Sequence, residues 1–382
     1  MIYSYPDFYK QFKCIDKECP DTCCSEWQIV IDEASLEKYE NYNGEYRAAL
    51  HDNIDWAEGI FRHNRQGKCA FLRDDMLCDM YINMGKDSLC TTCREYPRHI
   101  EEFENVREIS LSLSCPEVAR IIMNREEKIS FISKEDEEEE IFDEFDYFMF
   151  SSLEDIREEI FNIIQNREES ITERIKKVLQ IGVSSQRHYD SGDLILWNEY
   201  EEKDKICVEN EYELLKKQLS YLSDELELLY DDWENVLTET ELILFSKGEE
   251  SFFESRDKFI GWWDNSGLTS MEIVLEQIIV YFISIYLLGA VYDENIIGKV
   301  DACVTHSIEI FMLLWARWVK NEENLKMDDL IEIVYRYSRE IEHSDENLEK
   351  VEVINWFNRG DSFLINISDN DIMVTNIKDD DI

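Results

Sequence analysis

Cysteine is distributed very unevenly along this chain of 382 residues. Nine of the 11 cysteines lie at or before position 115, and only Cys207 and Cys303 follow them. The nine are Cys14, Cys19, Cys23, Cys24, Cys69, Cys78, Cys90, Cys93 and Cys115. Thiols at this density form disulfides, bind metal or are buried as small apolar side chains, so the first third of the chain must fold around them.

The start of the sequence favours reduced thiols. Residues 1–12, MIYSYPDFYKQF, lack the cationic start, apolar core and small-residue cleavage site of a secretory signal. We therefore expect a cytoplasmic protein. In a reducing compartment, clustered thiols indicate metal ligation rather than a disulfide framework.

The cysteine spacing favours a metal whose ligands come from several segments. A zinc finger uses two compact pairs about a dozen residues apart, whereas a [4Fe–4S] cluster takes four thiolates and tolerates other spacings. An iron–sulfur cluster is favoured, and zinc remains open. Burial in the core is the competing interpretation, and it is preferred for Cys90, Cys207 and Cys303. The predicted metal ligands are Cys14, Cys19, Cys23, Cys24, Cys69, Cys78, Cys93 and Cys115.

The formal charge of −47, from 39 basic and 86 acidic side chains, excludes most nucleic-acid roles. Phosphate backbones and anionic membrane surfaces are bound through clustered lysine and arginine, which this chain lacks. Residues 1–125 hold only 15 of the basic and 23 of the acidic side chains, so most of the acidity follows them. An acidic surface there favours a basic protein partner, although general solubility explains the charge equally well.

Few turn residues, 12 Gly and 4 Pro, predict a mainly α protein. We expect an N-terminal cysteine-rich metal-binding α+β domain with short strands, followed by an irregular helical domain. Strands are predicted at Trp27–Ile31 and around Ile109–Leu113, and a helix at about Ser35–Asn41. The predicted domains are 1–125 (cysteine-rich), 126–150 (acidic linker or helix start), 151–368 (helical) and 369–382 (acidic tail).

Amphipathic stripes mark the helical part. Apolar residues recur at three- and four-residue steps, and two further stretches are apolar enough to be central helices. The most apolar run, Ile278–Tyr292, is shorter than the ~20 residues that span a bilayer, so we interpret it as a buried helix. The stripes and stretches are Leu153, Ile156, Ile160, Ile163; Leu215, Leu219, Leu222, Leu226, Leu229; Met271–Leu288; and Ile308–Val319.

An ordered set of motifs in the first ~120 residues resembles the flagellin lysine N-methylases, which belong to a wider group of cysteine-cluster proteins described as zinc- or iron-chelating. The helical remainder is similar to them only in style. The motifs are Phe12–Cys14, Cys19–Cys24, Trp27, Ile31–Asp32, Cys69–Leu72, Leu77–Cys78, Cys93–Arg98 and Leu113–Arg120.

The resemblance implies methylation of lysine ε-amines on flagellin from S-adenosylmethionine, with a metal cluster in the cysteine domain. It provides no catalytic residues in the helical part, and the chain has no Gly-x-Gly turn that would locate a nucleotide-type cofactor. Arg98 is a candidate for pairing with the cofactor carboxylate, and the alternative is a structural role, either in a salt bridge to Glu101 or Glu102 or with a buried partner. His99 is a candidate support for the metal, and Trp262–Asp264 is a loop-like aromatic and acidic cluster with a core role as its alternative.

Two other functions compete with the enzyme. A non-catalytic metal-cluster binding module would dock a basic partner through the acidic helical domain. A redox sensor would require exposed thiols of low pKa. A homodimer is plausible for each of these functions, because dimers are the commonest oligomers of soluble proteins.

Overall fold

A computed structural model describes residues 1–65, 67–137, 140–142, 145–194, 198 and 210–354. The protein is mainly helical, and its strands lie in the N-terminal part, as predicted. Cys207 and the predicted acidic tail at 369–382 lie outside the described residues.

The chain forms two compact units. The first consists of Met1–Phe145, Leu226–Val236 and Met327–Glu349. The second consists of Asp146–Glu225, Leu237–Lys326 and Lys350–Ile382. Two segments from the later part of the sequence therefore fold with the cysteine-rich N-terminal residues.

The strands of the described residues are short. They are β1 (Ile2–Pro6), β2 (Ile54–Asp55), β3 (Ile60–Phe61), β4 (Arg98–Phe103), β5 (Val106–Leu111) and β6 (Phe131–Glu135).

The helices range from one turn to seven turns. They are α1 (Glu33–Glu40), α2 (Arg47–Asn53), α3 (Asp79–Met84), α4 (Thr91–Glu95), α5 (Pro116–Met123), α6 (Tyr147–Ile164), α7 (Ile171–Asp190), α8 (Glu211–Asp224), α9 (Trp233–Phe245), α10 (Glu249–Trp263), α11 (Met271–Tyr286), α12 (Ala290–Asp293), α13 (Ile296–Lys320), α14 (Met327–Glu342) and α15 (Asp345–Ile354).

The first unit contains a four-stranded sheet in the order β4-β5-β1-β6. β1 runs parallel to β5, with Ile2 opposite Val106, and antiparallel to β6, with Ile2 opposite Glu135. β4 and β5 form an antiparallel hairpin. Strand β5 overlaps the strand predicted around Ile109–Leu113 but ends at Leu111, and both Leu111 and Leu113 are buried. Strand β6 lies within residues 126–150, for which the sequence suggested an acidic linker or helix start.

Helix α5 follows directly from the Ser114–Cys115 motif. Cys115 is its N-cap residue, and Pro116 occupies the first turn, where the missing N–H costs nothing. Val118, Ala119 and Ile122 are buried on one face. This helix packs against α14 in the same unit, which places residues of α14 beside the end of β5.

Helices α11 and α13 form the centre of the second unit and are buried along most of their length. Helix α7 packs against α13 at Gly182, where a Cβ would lie 3.0 Å from Val300 Cβ. A buried ion pair joins α7 to α11, with Arg174 Nη1 2.8 Å from Glu276 Oε2. The Glu276 carboxylate offsets the desolvation cost of burying the Arg174 guanidinium.

Most of the apolar run Ile278–Tyr292 is buried as predicted, but Tyr292 is exposed, and the run is divided between the end of α11, a short 3-10 turn and α12. The stretch Met271–Asp293 is long and apolar enough to span a bilayer by length and composition. Of its most apolar window, 78% is buried within the protein, as expected for a core helix.

Two secondary-structure predictions are wrong. Trp27–Ile31 is not a strand, because Val30 makes only an isolated bridge with Ile60. The stripe from Leu215 to Leu229 is not one helix, since α8 ends at Asp224 and Leu226 begins a segment of the first unit. In both cases local apolar spacing suggested regular structure that packing interrupts.

Candidate functional site

The nine N-terminal cysteines all lie in the first unit, and four of them lie where a short element begins or ends. Cys78, Cys90 and Cys115 are the N-cap residues of α3, α4 and α5. Cys19 follows the 3-10 turn Asp16–Glu18. Because a thiol is a poor helix-capping acceptor, its use at three helix starts is not explained by capping.

Five of the cysteines belong to one hydrophobic core. Cys69 and Cys90 are buried in it, and the other three pack against it half-buried. For these positions the interpretation as core residues has structural support, and it was the one preferred for Cys90. The core includes Tyr39, Phe61 and Phe71; the three half-buried cysteines are Cys24, Cys78 and Cys93. Cys303 is likewise buried, on α13 of the second unit.

The Cys23 thiol interacts electrostatically with most of the other N-terminal thiols. Its thiol hydrogen-bonds that of Cys24. Charge on Cys23 acts on thiols from each of the other segments except the one that carries Cys90 and Cys93. The affected residues are Cys14, Cys19, Cys69, Cys78 and Cys115.

Most of these thiols are held in the neutral form. Burial raises the pKa of Cys69 to about 11 and that of Cys115 to about 12. The hydrogen bond to Cys24 raises the pKa of Cys23, whose side chain is exposed, well above its usual range. The reactive, exposed thiolate that a redox sensor requires is not found at these three positions.

Cys90 and Cys93 form a separate pair at the start of α4. The hydrogen bond between their thiols lowers the pKa of Cys90 and raises the pKa of Cys93. Cys93 also senses charge on Cys24 and Cys69, so this pair borders the others.

The cysteine thiols of the first unit are the chemical type of ligand that a thiophilic metal prefers, but in the described part of the chain they are not placed around a common point. Several thiols from separate segments lie within electrostatic range of one another, as zinc or iron–sulfur ligation requires. Nevertheless, among the residues the structure describes, no three Cys, His, Asp or Glu side chains are placed to hold one ion together. Ligation would therefore require the thiols to move closer together.

Arg339 is the best-buried charge next to the cysteine segments, with only 1% of its surface exposed. Its Nε donates to the Ser114 carbonyl at 3.0 Å, and its Nη1 donates to the Thr22 carbonyl at 3.1 Å. Nη1 also lies 3.0 Å from Asp21 Oδ2. One guanidinium on α14 thus connects the segments that carry Cys23 and Cys115.

His343, one turn further along the chain, lies beside an aromatic and hydroxyl cluster. Its Nε2 is 3.0 Å from Ser114 Oγ, which is 3.0 Å from the Tyr96 hydroxyl. The rings of His343 and Trp27 are 4.3 Å apart between centroids, and Trp27 Nε1 donates to the Cys23 carbonyl at 3.0 Å. Burial, helped by Arg339, lowers the pKa of His343 to about 3, so the imidazole is neutral.

The sequence motifs include Trp27, Tyr96 and Ser114, but the sequence analysis did not predict Arg339 or His343 as site residues. Both lie more than two hundred residues after the motifs. Arg339 is on α14 and His343 directly follows it, and the apolar spacing of this helix resembles that of every other helix. Only the packing of α14 against α5 brings them to the site.

Arg98, the candidate for binding a cofactor carboxylate, begins β4. Its guanidinium carbon lies 5.5 Å from the centre of the Phe12 ring and 5.9 Å from that of Tyr9. Within the described residues Arg98 has no carboxylate partner: Glu101 pairs with His99, and Glu102 with Arg107. The alternative of a salt bridge to Glu101 or Glu102 is therefore not what the structure contains.

Two further candidates have structural roles. His99 is exposed on β4, and its Nε2 is hydrogen-bonded to Glu101. Trp262–Asp264 is not a loop, because α10 continues to Trp263. Trp263 is buried and its Nε1 donates to the Thr269 carbonyl at 2.9 Å, which is the core role.

Fold and site together define a mainly helical protein with a cysteine-rich α+β unit. A model of the FliB lysine N-methylase C-terminal domain matches residues 157–362, more than half of the chain. The chain therefore belongs to the FliB lysine N-methylase family. The match falls in the helical part, where the sequence motifs had given no specific resemblance.

Individual relatives agree with this assignment. The chain is 34% identical over 128 residues to the flagellar biosynthetic protein FliU of Salmonella muenchen, covering 31% of this chain and 75% of that protein. It is 31% identical over 138 residues to lysine-N-methylases of Salmonella typhimurium LT2 and Salmonella choleraesuis, covering 34% of this chain. These alignments span 34% of the length of each methylase. No solved structure matches the chain significantly.

Proposed function

We propose that this protein is a cytoplasmic methyltransferase that methylates lysine side chains of flagellin, with S-adenosylmethionine as the methyl donor. The observation that carries the proposal is the family match over more than half of the chain. The names of the relatives, lysine-N-methylase and flagellar biosynthetic protein, support the reaction and the flagellar substrate.

The proposed reaction is a direct displacement. The neutral lysine nitrogen forms a bond to the methyl carbon while the carbon–sulfur bond of the sulfonium breaks and its electron pair leaves with sulfur. The methylated nitrogen then releases its extra proton to solvent. Such a reaction needs aligned reactants and surroundings that tolerate the positive sulfonium, which aromatic faces and carboxylates provide.

Arg98 is the residue that we propose for binding the donor's carboxylate. A guanidinium presents paired N–H donors that match a carboxylate, and among the described residues no acidic side chain occupies those of Arg98. The rings of Phe12 and Tyr9 under the guanidinium hold it in place.

We further propose that the first unit binds an iron–sulfur cluster, or zinc, through thiols of Cys14, Cys19, Cys23, Cys24, Cys69, Cys78, Cys93 and Cys115. The mutual electrostatic influence of these thiols supports the proposal. When bound, a metal of this kind neutralises several thiolates and fixes the segments that carry them. Anaerobically purified protein is expected to contain iron with sulfide, or zinc. Protein without either would contradict the metal centre.

The methyltransferase proposal is tested with labelled S-adenosylmethionine and purified flagellin. Transfer of label to lysine is expected. Label-free flagellin with the metal fully loaded would contradict the proposal, and salt-sensitive capture of flagellin without transfer would instead favour the binding module.

The Arg98→Met variant tests the donor site. Loss of the charged fork is expected to raise the KM for S-adenosylmethionine by roughly 10-fold or more, because a charge-assisted pair contributes about 1.5–3 kcal/mol. The matched control is Arg94→Met, since Arg94 is exposed and pairs with its neighbour Glu95. An unchanged KM in Arg98→Met would exclude Arg98 from the donor site.

A further inference from the structure

Three aromatic side chains of the second unit are exposed to solvent. Tyr147 and Phe148 begin α6 and are 61% and 86% exposed, and Tyr292 on α12 is 60% exposed. Met149 and Phe150, which follow directly in α6, are buried. The helix therefore turns its next two side chains into the core and leaves its first two rings in water.

These rings lie on elements that meet at one end of the unit. Helix α12 packs against α6. Near the end of α7, Gln186 Nε2 donates to the Glu294 carbonyl at 3.1 Å and to Asp190 Oδ1 at 3.0 Å. Tyr189 hydrogen-bonds Glu294, directly after α12, and is also affected by the charge of Asp146, directly before α6. The aromatic surface is formed by Tyr147, Phe148 and Tyr292.

Carboxylates border the aromatic surface. Asp146, Asp190 and Glu294 are exposed, and within the described part of the chain none of the three has a cationic partner. Lys299 lies close to this end, but its Nζ is 2.7 Å from Asp293 Oδ2 and 2.6 Å from Glu352 Oε2. This end of the unit thus combines exposed aromatic rings with uncompensated negative charge.

The charge determines which partner fits the aromatic surface. Exposed apolar patches with a polar rim are typical of interaction sites. A second copy of this acidic chain, an anionic membrane or a nucleic acid would bring more negative charge to the carboxylates. A protein segment with lysine among apolar side chains complements both features, because aromatic faces attract ammonium groups and also cover apolar stems.

We propose that the aromatic surface and its bordering carboxylates dock a lysine-bearing, partly apolar segment of the protein substrate. The inference rests on the proposed function, since flagellin is the substrate that would carry this segment. It separates recognition of the substrate from methyl transfer, because the proposed donor site around Arg98 shares no residue with the aromatic surface.

The test measures binding of purified flagellin to the full-length protein by fluorescence anisotropy without a methyl donor, and methyl transfer in a separate assay. Tyr147→Ala/Phe148→Ala removes the two most exposed rings, and alanine favours the helix. The matched control is Leu242→Ala, because Leu242 on α9 is 65% exposed and belongs to the same unit.

A second variant removes charge instead of rings. Asp190→Asn/Glu294→Gln neutralises two of the bordering carboxylates, and Asp146 is left unchanged because its side chain caps α6. The control Glu254→Gln/Asp264→Asn neutralises two exposed carboxylates of α10 and its C-terminal end and gives the same change in net charge. Circular dichroism checks the fold of every variant.

Tyr147→Ala/Phe148→Ala is expected to raise the Kd for flagellin about 10-fold or more, as truncation of aromatic anchors in an interface does. The KM for flagellin should rise with it, while kcat stays unchanged. Asp190→Asn/Glu294→Gln should raise the Kd about 2- to 5-fold at low ionic strength and weaken its dependence on salt. Both controls should bind like the wild type.

Wild-type affinity in a folded Tyr147→Ala/Phe148→Ala protein would overturn the inference, as would equal weakening by Leu242→Ala. If the double variant fails to fold, Phe148→Ala replaces it under the same criteria. A wild-type dimer that the double variant dissociates, with flagellin binding unchanged, would assign the aromatic surface to a second copy and also overturn the inference. Flagellin that binds through the aromatic surface but is not methylated would contradict the proposed reaction and leave the docking surface supported.

Discussion

His306 shows at the scale of a residue how burial sets the pH dependence of stability. It lies on α13, with its ring 4.5 Å from that of Phe282 between centroids. Burial lowers the pKa of His306 to about 3. The folded protein therefore keeps this imidazole neutral at pH values where the unfolded chain takes up a proton.

The stability contributed by neutral His306 is complete above the unfolded pKa of about 6.5 and is lost as the pH falls from there toward about 3. The expected loss is about 1.4 kcal/mol per pH unit below about pH 6. His306→Gln should remove this one-proton dependence, whatever its effect on absolute stability. Urea unfolding between about pH 5 and 6 measures the slope.

The control is His99→Gln. Partial desolvation of the His99 ring lowers its pKa, but the interaction with Glu101 outweighs this, so the pKa of His99 is raised overall. Below about pH 6, His99 is therefore protonated in both the folded and the unfolded protein. The His99→Gln substitution should leave the pH dependence of the unfolding free energy unchanged. Equal slopes for wild type and His306→Gln would show that His306 does not control acid unfolding.

At the scale of elements, the contact between α7 and α13 depends on the absence of a side chain. A Cβ at Gly182 would lie 3.0 Å from Val300 Cβ and 3.1 Å from Ile297 Cδ1. The Val300 Cβ atom is fixed to its helix backbone, so it cannot move aside without shifting α13. The gain in helix propensity from alanine, about 1 kcal/mol, is smaller than the expected strain.

Gly182→Ala is therefore expected to destabilise the protein by about 1–3 kcal/mol. Gly261→Ala is the matched control, because Gly261 is also helical, in α10, and nothing lies within 4 Å of its added Cβ. That variant should gain about 0.5–1 kcal/mol. Denaturant midpoints of both variants decide the matter, and a stabilised Gly182→Ala protein would show that the two helices separate easily.

The sequence predicted elements whose pattern is local. Helices at α1, α6, α11 and α13 followed from apolar spacing or composition, and the end of β5 lies in the strand predicted around Ile109–Leu113. It did not predict that Leu226 and Leu229 leave their helix, because apolar spacing continues where the backbone turns. Trp27–Ile31 failed similarly, since β-branched residues also suit an extended segment that pairs only once.

The candidate site was predictable only in part for the same reason. Trp27, Tyr96, Ser114 and the cysteines lie in recognisable motifs. Arg339 lies on an amphipathic helix, and nothing in its local pattern distinguishes it from a surface arginine. Its importance depends on long-range contacts with Thr22 and Ser114, which local spacing does not encode.

At the scale of the whole molecule, the charge of −47 is the dominant property. Most of it lies after residue 125, so the helical part repels anions and attracts cations. For the proposed reaction this has two opposing consequences. Lysine-rich segments approach more readily, but the attracted lysine is an ammonium ion, which must lose a proton before it can accept a methyl group.

Attraction of the substrate and proton loss from its lysine can be distinguished by kinetic measurements. Attraction affects encounter, whereas proton loss and methyl transfer occur within the bound complex. Raising the ionic strength from about 0.01 M to 0.15 M shortens the screening length from about 30 Å to 8 Å. The KM for flagellin should therefore rise over this range while kcat changes little, because contacts inside the complex are screened far less.

A short, otherwise uncharged peptide with a single lysine is the control substrate. It carries one positive charge, so its KM should respond far less to salt than that of the intact protein. Equal salt dependence for the two substrates would mean that the acidity acts on the reacting lysine alone. A KM for flagellin that is independent of salt would leave the acidic surface with solubility as its role, and specificity would then have to come from uncharged contacts.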